Sequence, residues 1–305
     1  MKKTDQKTPR LPGRQARREN RVGYLFAGPA ILGFLLFALL PILISLAASF
    51  TDWNMLSAPE FIGLQNYKNL LTEDFYFWRA LKATFYYAIL SVIISNLVAL
   101  AVALLLNANA KLQGVFRTIY YLPTVVPAVA QALLWGWLFN VDYGLFNNIL
   151  NMLGFDSIKW ITSKKMAMPS IAIMSIWQAM GYDMILLTAG LKGIDETYYE
   201  AAQIDGANGW QSFWKITLPM LTPTLFFLVV THCVSYIQMF DAAFIMTEGG
   251  PGHATRTFAM QIYNTAFEYF RMGEAASYAW VLFAIVFVIT VIQFKLQDKW
   301  VNYDV

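Results

Sequence analysis

Six stretches of this chain are each long enough and apolar enough to cross a lipid bilayer, which makes the bilayer its solvent. A helix needs roughly 20 apolar residues to cross about 30 Å of hydrocarbon. The runs lie at about 23–50, 83–106, 115–139, 167–190, 220–245 and 276–295. Composition agrees: 58% of residues are hydrophobic and 13% charged, where soluble domains sit near about 45–50% and about 25%. Hydrocarbon offers the backbone no hydrogen-bond partner, so runs of this length predict helices that satisfy themselves internally. The expected fold class is an all-α integral membrane protein with six transmembrane helices.

Charge orients the spans. Residues 1–21 form a polar, basic tail carrying Lys2, Lys3, Lys7, Arg10, Arg14, Arg17, Arg18 and Arg21 against Asp5 and Glu19. Next to an apolar span such a tail marks the cytoplasmic end rather than a nucleic-acid site. The run after it is too long for the roughly 7–15 residue core of a signal peptide, so it reads as a retained span. Residues 107–114, 191–219 and the tail at 299–305 then fall inside, and 51–82, 140–166 and 246–275 outside. Both termini are expected in the cytoplasm. Lys159, Lys164 and Lys165 in an outer loop run against the charge rule, but the N-terminal excess is larger.

Between the fourth and fifth spans lies the longest polar run flanked by strongly apolar segments: Tyr199-Glu200-Ala201-Ala202-Gln203-Ile204-Asp205-Gly206-Ala207, then Phe213, Ile216, Leu218 and Pro219. It predicts a short helix with a defined start and stop. Asp195 is an N-cap residue, and Glu196 places a carboxylate in the first turn. Gly206 suits the left-handed position after a helix end. Asn208 is placed to cap a second short helix carrying Trp210, Phe213 and Trp214, and Pro219 suits an early helical position or a bend.

Glu-Ala-Ala, Asp-Gly-Ala and Ile-x-Leu-Pro at this spacing resemble the EAA loop of binding-protein-dependent ABC importer permeases. Weaker matches extend the resemblance over about residues 22–298. Ser49-Phe50-Thr51-Asp52-Trp53 and Phe61-Ile62-Gly63-Leu64-Gln65-Asn66-Tyr67 are similar to the first outer loop of the maltose-transporter-like carbohydrate branch. Phe116-Arg117-Thr118 with Leu122-Pro123 and Pro127 resembles its third span, and Gly249-Gly250-Pro251 with Thr255 and Tyr263 its last outer loop. The resemblance implies a MetI-like type I permease fold, the six-span domain filling residues 22–298. It implies a cytoplasmic-membrane subunit that pairs with a second homologous permease. An ABC ATPase dimer would dock on the EAA loop, and an extracytoplasmic solute-binding protein would deliver a sugar. Glu200 is assigned to an ion pair with the ATPase, Ala201, Ala202 and Ala207 to close packing, and Asp205-Gly206 to the turn. Phe213, Ile216, Leu218 and Pro219 would fix the loop against its own spans.

Other chemistry is missing. No G-x-x-x-x-G-K-[ST] phosphate loop is present, so ATP hydrolysis is expected in a separate chain. There is one cysteine, Cys233, and two histidines, His232 and His253. No cofactor, metal site or catalytic residue is expected.

Polar side chains inside spans are costly and call for an account. Ser175, Gln178 and Tyr182 share one face of the fourth span, and His232 and Tyr236 one face of the fifth. Gln131 and Trp135 follow the kink-prone Pro123 and Pro127 in the third. Amides, hydroxyls and aromatic faces suit a sugar, and these residues with Asp183 form the expected substrate pathway. Interhelical hydrogen bonding explains the same residues equally well one by one. Asp183 and Asp241 would be the proton- or sodium-linked groups of an ion-coupled secondary transporter, the reading from another class. Glycerol phosphate or another small solute remains the alternative cargo. No mid-span Arg or Lys is present to hold a phosphate, which favours a neutral oligosaccharide.

Overall fold

The computed structural model describes residues 14–108 and 113–302. Most of the basic tail, residues 109–112 and the last three residues lie outside the described residues, as does the tail reading with them. The first span comprises α1 (Arg14–Phe34), a π-helical turn at Leu35–Leu39 and α2 (Leu40–Ala48). A two-stranded ribbon follows, pairing Thr51 with Phe61 and Asp52 with Glu60. Then come α3 (Gln65–Thr72), the long α4 (Phe77–Ala108), α5 (Gln113–Val125), α6 (Ala128–Leu138) and α7 (Leu145–Met152). The second half holds α8 (Ala167–Lys192), α9 (Glu196–Ile204), α10 (Gly209–Ser212), α11 (Leu218–Ile237), α12 (Asp241–Thr247), α13 (Phe258–Tyr263) and α14 (Met272–Leu296).

Among the described residues, five helices are long and apolar enough to cross a membrane, and α5 with α6, taken as one span, makes a sixth broken by a 102° bend. The sequence predicts a kink at Pro123 and Pro127, but the chain turns through a right angle instead. Pro127 has no N–H to give the Pro123 carbonyl, so the helix ladder cannot continue past it. The fifth span also ends sooner than expected, at Ile237, and Asp241 opens a separate helix. The second span is longer than expected: α4 starts at Phe77, several residues before the apolar run.

Two apolar clusters stack along the bundle. One joins Tyr87, Trp135, Met168, Ile171, Tyr236, Phe258 and Tyr278 with the small helices of the long loops. The other joins Ala99, Ala103, Leu106 on α4, Met184, Leu187, Leu191 on α8, and Leu221 and Leu228 on α11. The same three helices therefore build both clusters. α5 crosses α8 closely at Gly181, where an added Cβ would stand 2.1 Å from the Tyr120 carbonyl oxygen. Only glycine fits that crossing. The two first-loop motifs meet as well: the Asn66 amide donates to the Ser49 and Thr51 carbonyls at 3.0 and 2.9 Å, and Tyr67 OH donates to Ser49 Oγ at 2.8 Å.

Candidate functional site

The polar loop between α8 and α11 is two capped helices. Asp195 accepts from the Thr197 N–H at 2.9 Å, and that bond holds its carboxyl below the usual carboxylate range. At the other end of α9 the Ala207 N–H reaches the Ala202 carbonyl at 2.8 Å and the Gly206 N–H reaches Gln203 at 3.0 Å. That pair of bonds requires a left-handed residue, and Gly206 has φ +76°. Asn208 and Gln211 then close a reciprocal capping box at the start of α10, both bonds at 2.9 Å. Glu200, Ala201, Asp205 and Gly206 are exposed, and Ala202 and Ala207 are half-buried. Ile204 is 87% exposed and Trp210 70%.

The loop is held from beneath. Tyr199 and Ile216 pack on the cluster of Leu187, Leu191 and Leu221. Tyr199 OH also bonds Thr217 Oγ1 at 2.9 Å. Phe213 and Ile216 lie in a π-helical turn at Phe213–Thr217, and Leu218 and Pro219 begin α11. The C-terminal segment sits at this same end, with the Asn302 N–H bonded to Thr222 Oγ1 at 2.9 Å.

A cavity of about 270 Å³ opens higher in the bundle, where α4, α6, α8, α11 and α12 converge. Ser175, Gln178 and Tyr236 line it, as does Asp241. The structure separates the other expected pathway residues from it. Gln131 is fully buried, and its amide donates to the carbonyls of Pro123 and Val126. It replaces the donor that Pro127 lacks, so its role is to hold the broken span. Trp135 lies in an aromatic cluster, 5.4 Å from Trp177 and 5.2 Å from Phe139 between ring centres. Tyr182 is 45% exposed and does not line the cavity. Asp183 and His232 pair with each other below the cavity: Nε2 stands 3.1 Å from Oδ2 and 3.2 Å from Oδ1. The Asn96 amide donates to His232 Nδ1 at 3.2 Å, which leaves the ring proton on Nε2 facing Asp183.

Of the three expected residues that do line the cavity, two are also tied up across helices. Tyr87 OH donates to Ser175 Oγ at 2.6 Å, and Ser95 Oγ bonds Tyr236 OH at 2.7 Å. Gln178 alone offers a side-chain amide with no hydrogen bond to another described residue. The α4 contributors were missed in the sequence. Tyr87, Ser91 and Ser95 recur every four residues on one buried stripe, and that spacing was the available signal.

A second, larger cavity of about 480 Å³ lies among the loops at the opposite end from α9, lined by Phe244, Glu248, His253, Arg256, Asn264, Glu268 and Tyr269. Partial desolvation, then the charges of Arg256, Arg79 and Lys164, push the His253 imidazole below its ordinary range.

Comparison with known proteins gives these features a family. The family described as "binding-protein-dependent transport system inner membrane component" matches residues 95–302. A probable ABC transporter permease protein of Bacillus subtilis, YesP, is 41% identical over 295 residues, covering 95% of each chain. The trehalose/maltose transport system permease protein MalF of Thermococcus litoralis is 32% identical over 283 residues, covering 92% of this chain and 94% of its own. The fold matches a chain in the crystal structure of a bacterial alginate ABC transporter in complex with a pentasaccharide-bound periplasmic protein. There the TM-score is 0.84 with 23% identity, covering 95% of this chain and 98% of that one. The exposed double-capped loop and the broken third span thus stand within a known architecture, and the chain belongs to the family of inner membrane components of binding-protein-dependent ABC transport systems.

Proposed function

We propose that this chain forms one half of the membrane pathway of an ATP-driven sugar importer. The observation that carries the reading is the loop at Glu196–Pro219. It presents Glu200, Ala201, Ile204 and Trp210 at the surface, while Tyr199 and Ile216 anchor it to the cluster that α4, α8 and α11 share. A push on α9 is therefore transmitted to the three helices that also wall the 270 Å³ cavity. Glu200 pairs with a basic group of a separate ATPase, the exposed alanines admit close approach, and Gly206 supplies the turn. The names of the relatives support a sugar cargo. Ser175, Gln178 and Tyr236 offer it hydroxyl, amide and aromatic groups from the cavity wall.

The basic tail and the α9 loop both face the cytoplasm in this reading, with both termini on that side. Support comes from the C-terminal segment packed at the α9 end and from α2 packed by the start of α14 at the other. A second homologous permease supplies the other half of the pathway. The apolar first span supports that, since none of its most apolar window is buried within this chain. A solute-binding protein delivers the sugar to the outer loops. The test is affinity purification of the tagged chain from native membranes, followed by sugar uptake in proteoliposomes. The proposal expects a second six-span chain and an ATPase to come along, and uptake that needs ATP. A Gly206→Asp variant should assemble but transport poorly. A stable homo-oligomer without ATPase, or normal uptake by that variant, would contradict it.

A further inference from the structure

Among the described residues, Arg256 is a buried cation with no carboxylate at ion-pair distance: it is only 6% exposed, yet no carboxylate oxygen lies within 4.0 Å of it. Every contact it makes is to a neutral group. Its guanidinium carbon lies 4.2 Å from the centre of the Tyr76 ring, and one Nη donates to Tyr269 OH at 2.9 Å. The other Nη faces His253 Nδ1 at 3.4 Å, and the Asn264 amide, in its better-satisfied orientation, accepts at 2.7 Å. Nε has no acceptor. Burying a charge is unfavourable unless an opposite charge compensates it, so this arrangement asks for an anion.

The surroundings define the anion further. Arg256 borders the 480 Å³ cavity at the loop end of the bundle, too large for a simple ion. Glu248, Glu268 and Asn264 line the same cavity, and Phe244 and Tyr269 add aromatic surface. Carboxylates and an amide accept from and donate to hydroxyls, while a guanidinium takes a carboxylate, often through two parallel bonds. We propose that this cavity is a binding site for one acidic sugar unit of the uronate type. Its carboxylate would sit on Arg256 and its hydroxyls on Glu268, Glu248 and Asn264. The site is distinct from the cavity beside Gln178 and receives solute on the outer face before it enters the pathway. The inference rests on the import reading, which places this face outside.

The test uses the assembled transporter in lipid nanodiscs, with methyl glucuronide and methyl glucoside as paired probes, read by saturation-transfer NMR. The proposal expects the glucuronide to bind and the glucoside to bind at least tenfold more weakly. Arg256→Gln should remove the difference, and Arg256→Lys should restore part of it. Equal binding of the two probes to the wild-type complex would overturn the proposal whether or not the variants assemble. So would glucuronide binding that Arg256→Gln leaves unchanged. If the glucuronide does not bind and Arg256→Gln instead weakens capture of the solute-binding protein, the missing carboxylate belongs to that protein and the sugar site is refuted. ATP-driven uptake of any sugar, measured in parallel, separates these outcomes from failure of the import reading.

Discussion

His232 on α11 and Asp183 on α8 form a buried hydrogen-bonded pair, Nε2 to Oδ2 at 3.1 Å, at the level where the two apolar clusters of the bundle meet. On α4 the upper cluster ends at residue 98 and the lower begins at 99, just past Asn96, which holds the other side of the ring. A polar layer of three residues from three helices thus separates two hydrophobic cores. Such a layer fixes the register of the helices, because each alternative sliding of one helix leaves a buried polar group unpaired.

Removing one partner of this layer should therefore cost far more than softening it. Asp183→Ala leaves the buried His232 Nε2–H without its acceptor, and a loss of about 3 kcal/mol is expected. Asp183→Asn keeps an acceptor for His232 Nε2 and should cost about 1–3 kcal/mol. Thermal unfolding of the purified transporter in detergent orders the two. Equal melting temperatures for both variants and wild type would remove the layer from the account.

Gln131 is expected to matter for stability and not for cargo. Gln131→Leu keeps the volume but strips a donor from the Pro123 and Val126 carbonyls at the 102° bend. The Pro123 carbonyl keeps the Val126 N–H, but leaving the Val126 carbonyl unpaired should cost about 1–3 kcal/mol. Melting temperature should fall while the apparent affinity for transported sugar stays constant in the surviving complex.

Gln178 should show the opposite pattern. Its amide lines the inner cavity and is not committed to another helix. Gln178→Ala should leave the melting temperature within error and raise the KM for uptake roughly three- to tenfold, the equivalent of one hydrogen bond of about 0.5–1.5 kcal/mol. Uptake kinetics in proteoliposomes over a range of sugar concentrations read this directly.

The comparison of Gln131 with Gln178 shows what was legible in the sequence. Both are glutamines in apolar helices, and both were expected in the substrate pathway. Whether a side chain is free depends on what stands across from it, and the carbonyls that Gln131 caps become available only because the chain bends at Pro127. The helix caps at Asp195, Gly206 and Asn208 were legible because each bond closes within two to five residues. The spans were legible from length and hydropathy. The Asp183–His232 pair was not, since its partners are 49 residues apart and nothing local joins them. Arg256 was passed over for the same reason: an unpaired charge is visible only once every neighbour is placed.

His253 gives a pH dependence with a definite sign. Partial desolvation, then Arg256, Arg79 and Lys164, hold its folded pKa below the ordinary value of about 6.5. Protonation is then favoured by unfolding, so this contribution to stability is present above the ordinary value and lost as pH falls through the folded one. The melting temperature of the transporter should decline below about pH 6.5 more steeply in wild type than in His253→Gln. Arg256→Gln should raise the imidazole pKa, which histidine hydrogen–deuterium exchange followed by mass spectrometry measures at the residue.

The central claim is that the exposed face of α9 is where a cytoplasmic ATPase engages. Ala201→Cys, in a chain whose single native thiol is replaced by Cys233→Ser, places one reactive group on that face. Labelling with a membrane-impermeant maleimide should occur in inverted vesicles stripped of peripheral proteins and fail in intact cells. Adding the ATPase back should protect the thiol. Labelling from outside intact cells, or a thiol that the ATPase leaves fully reactive, would contradict the account.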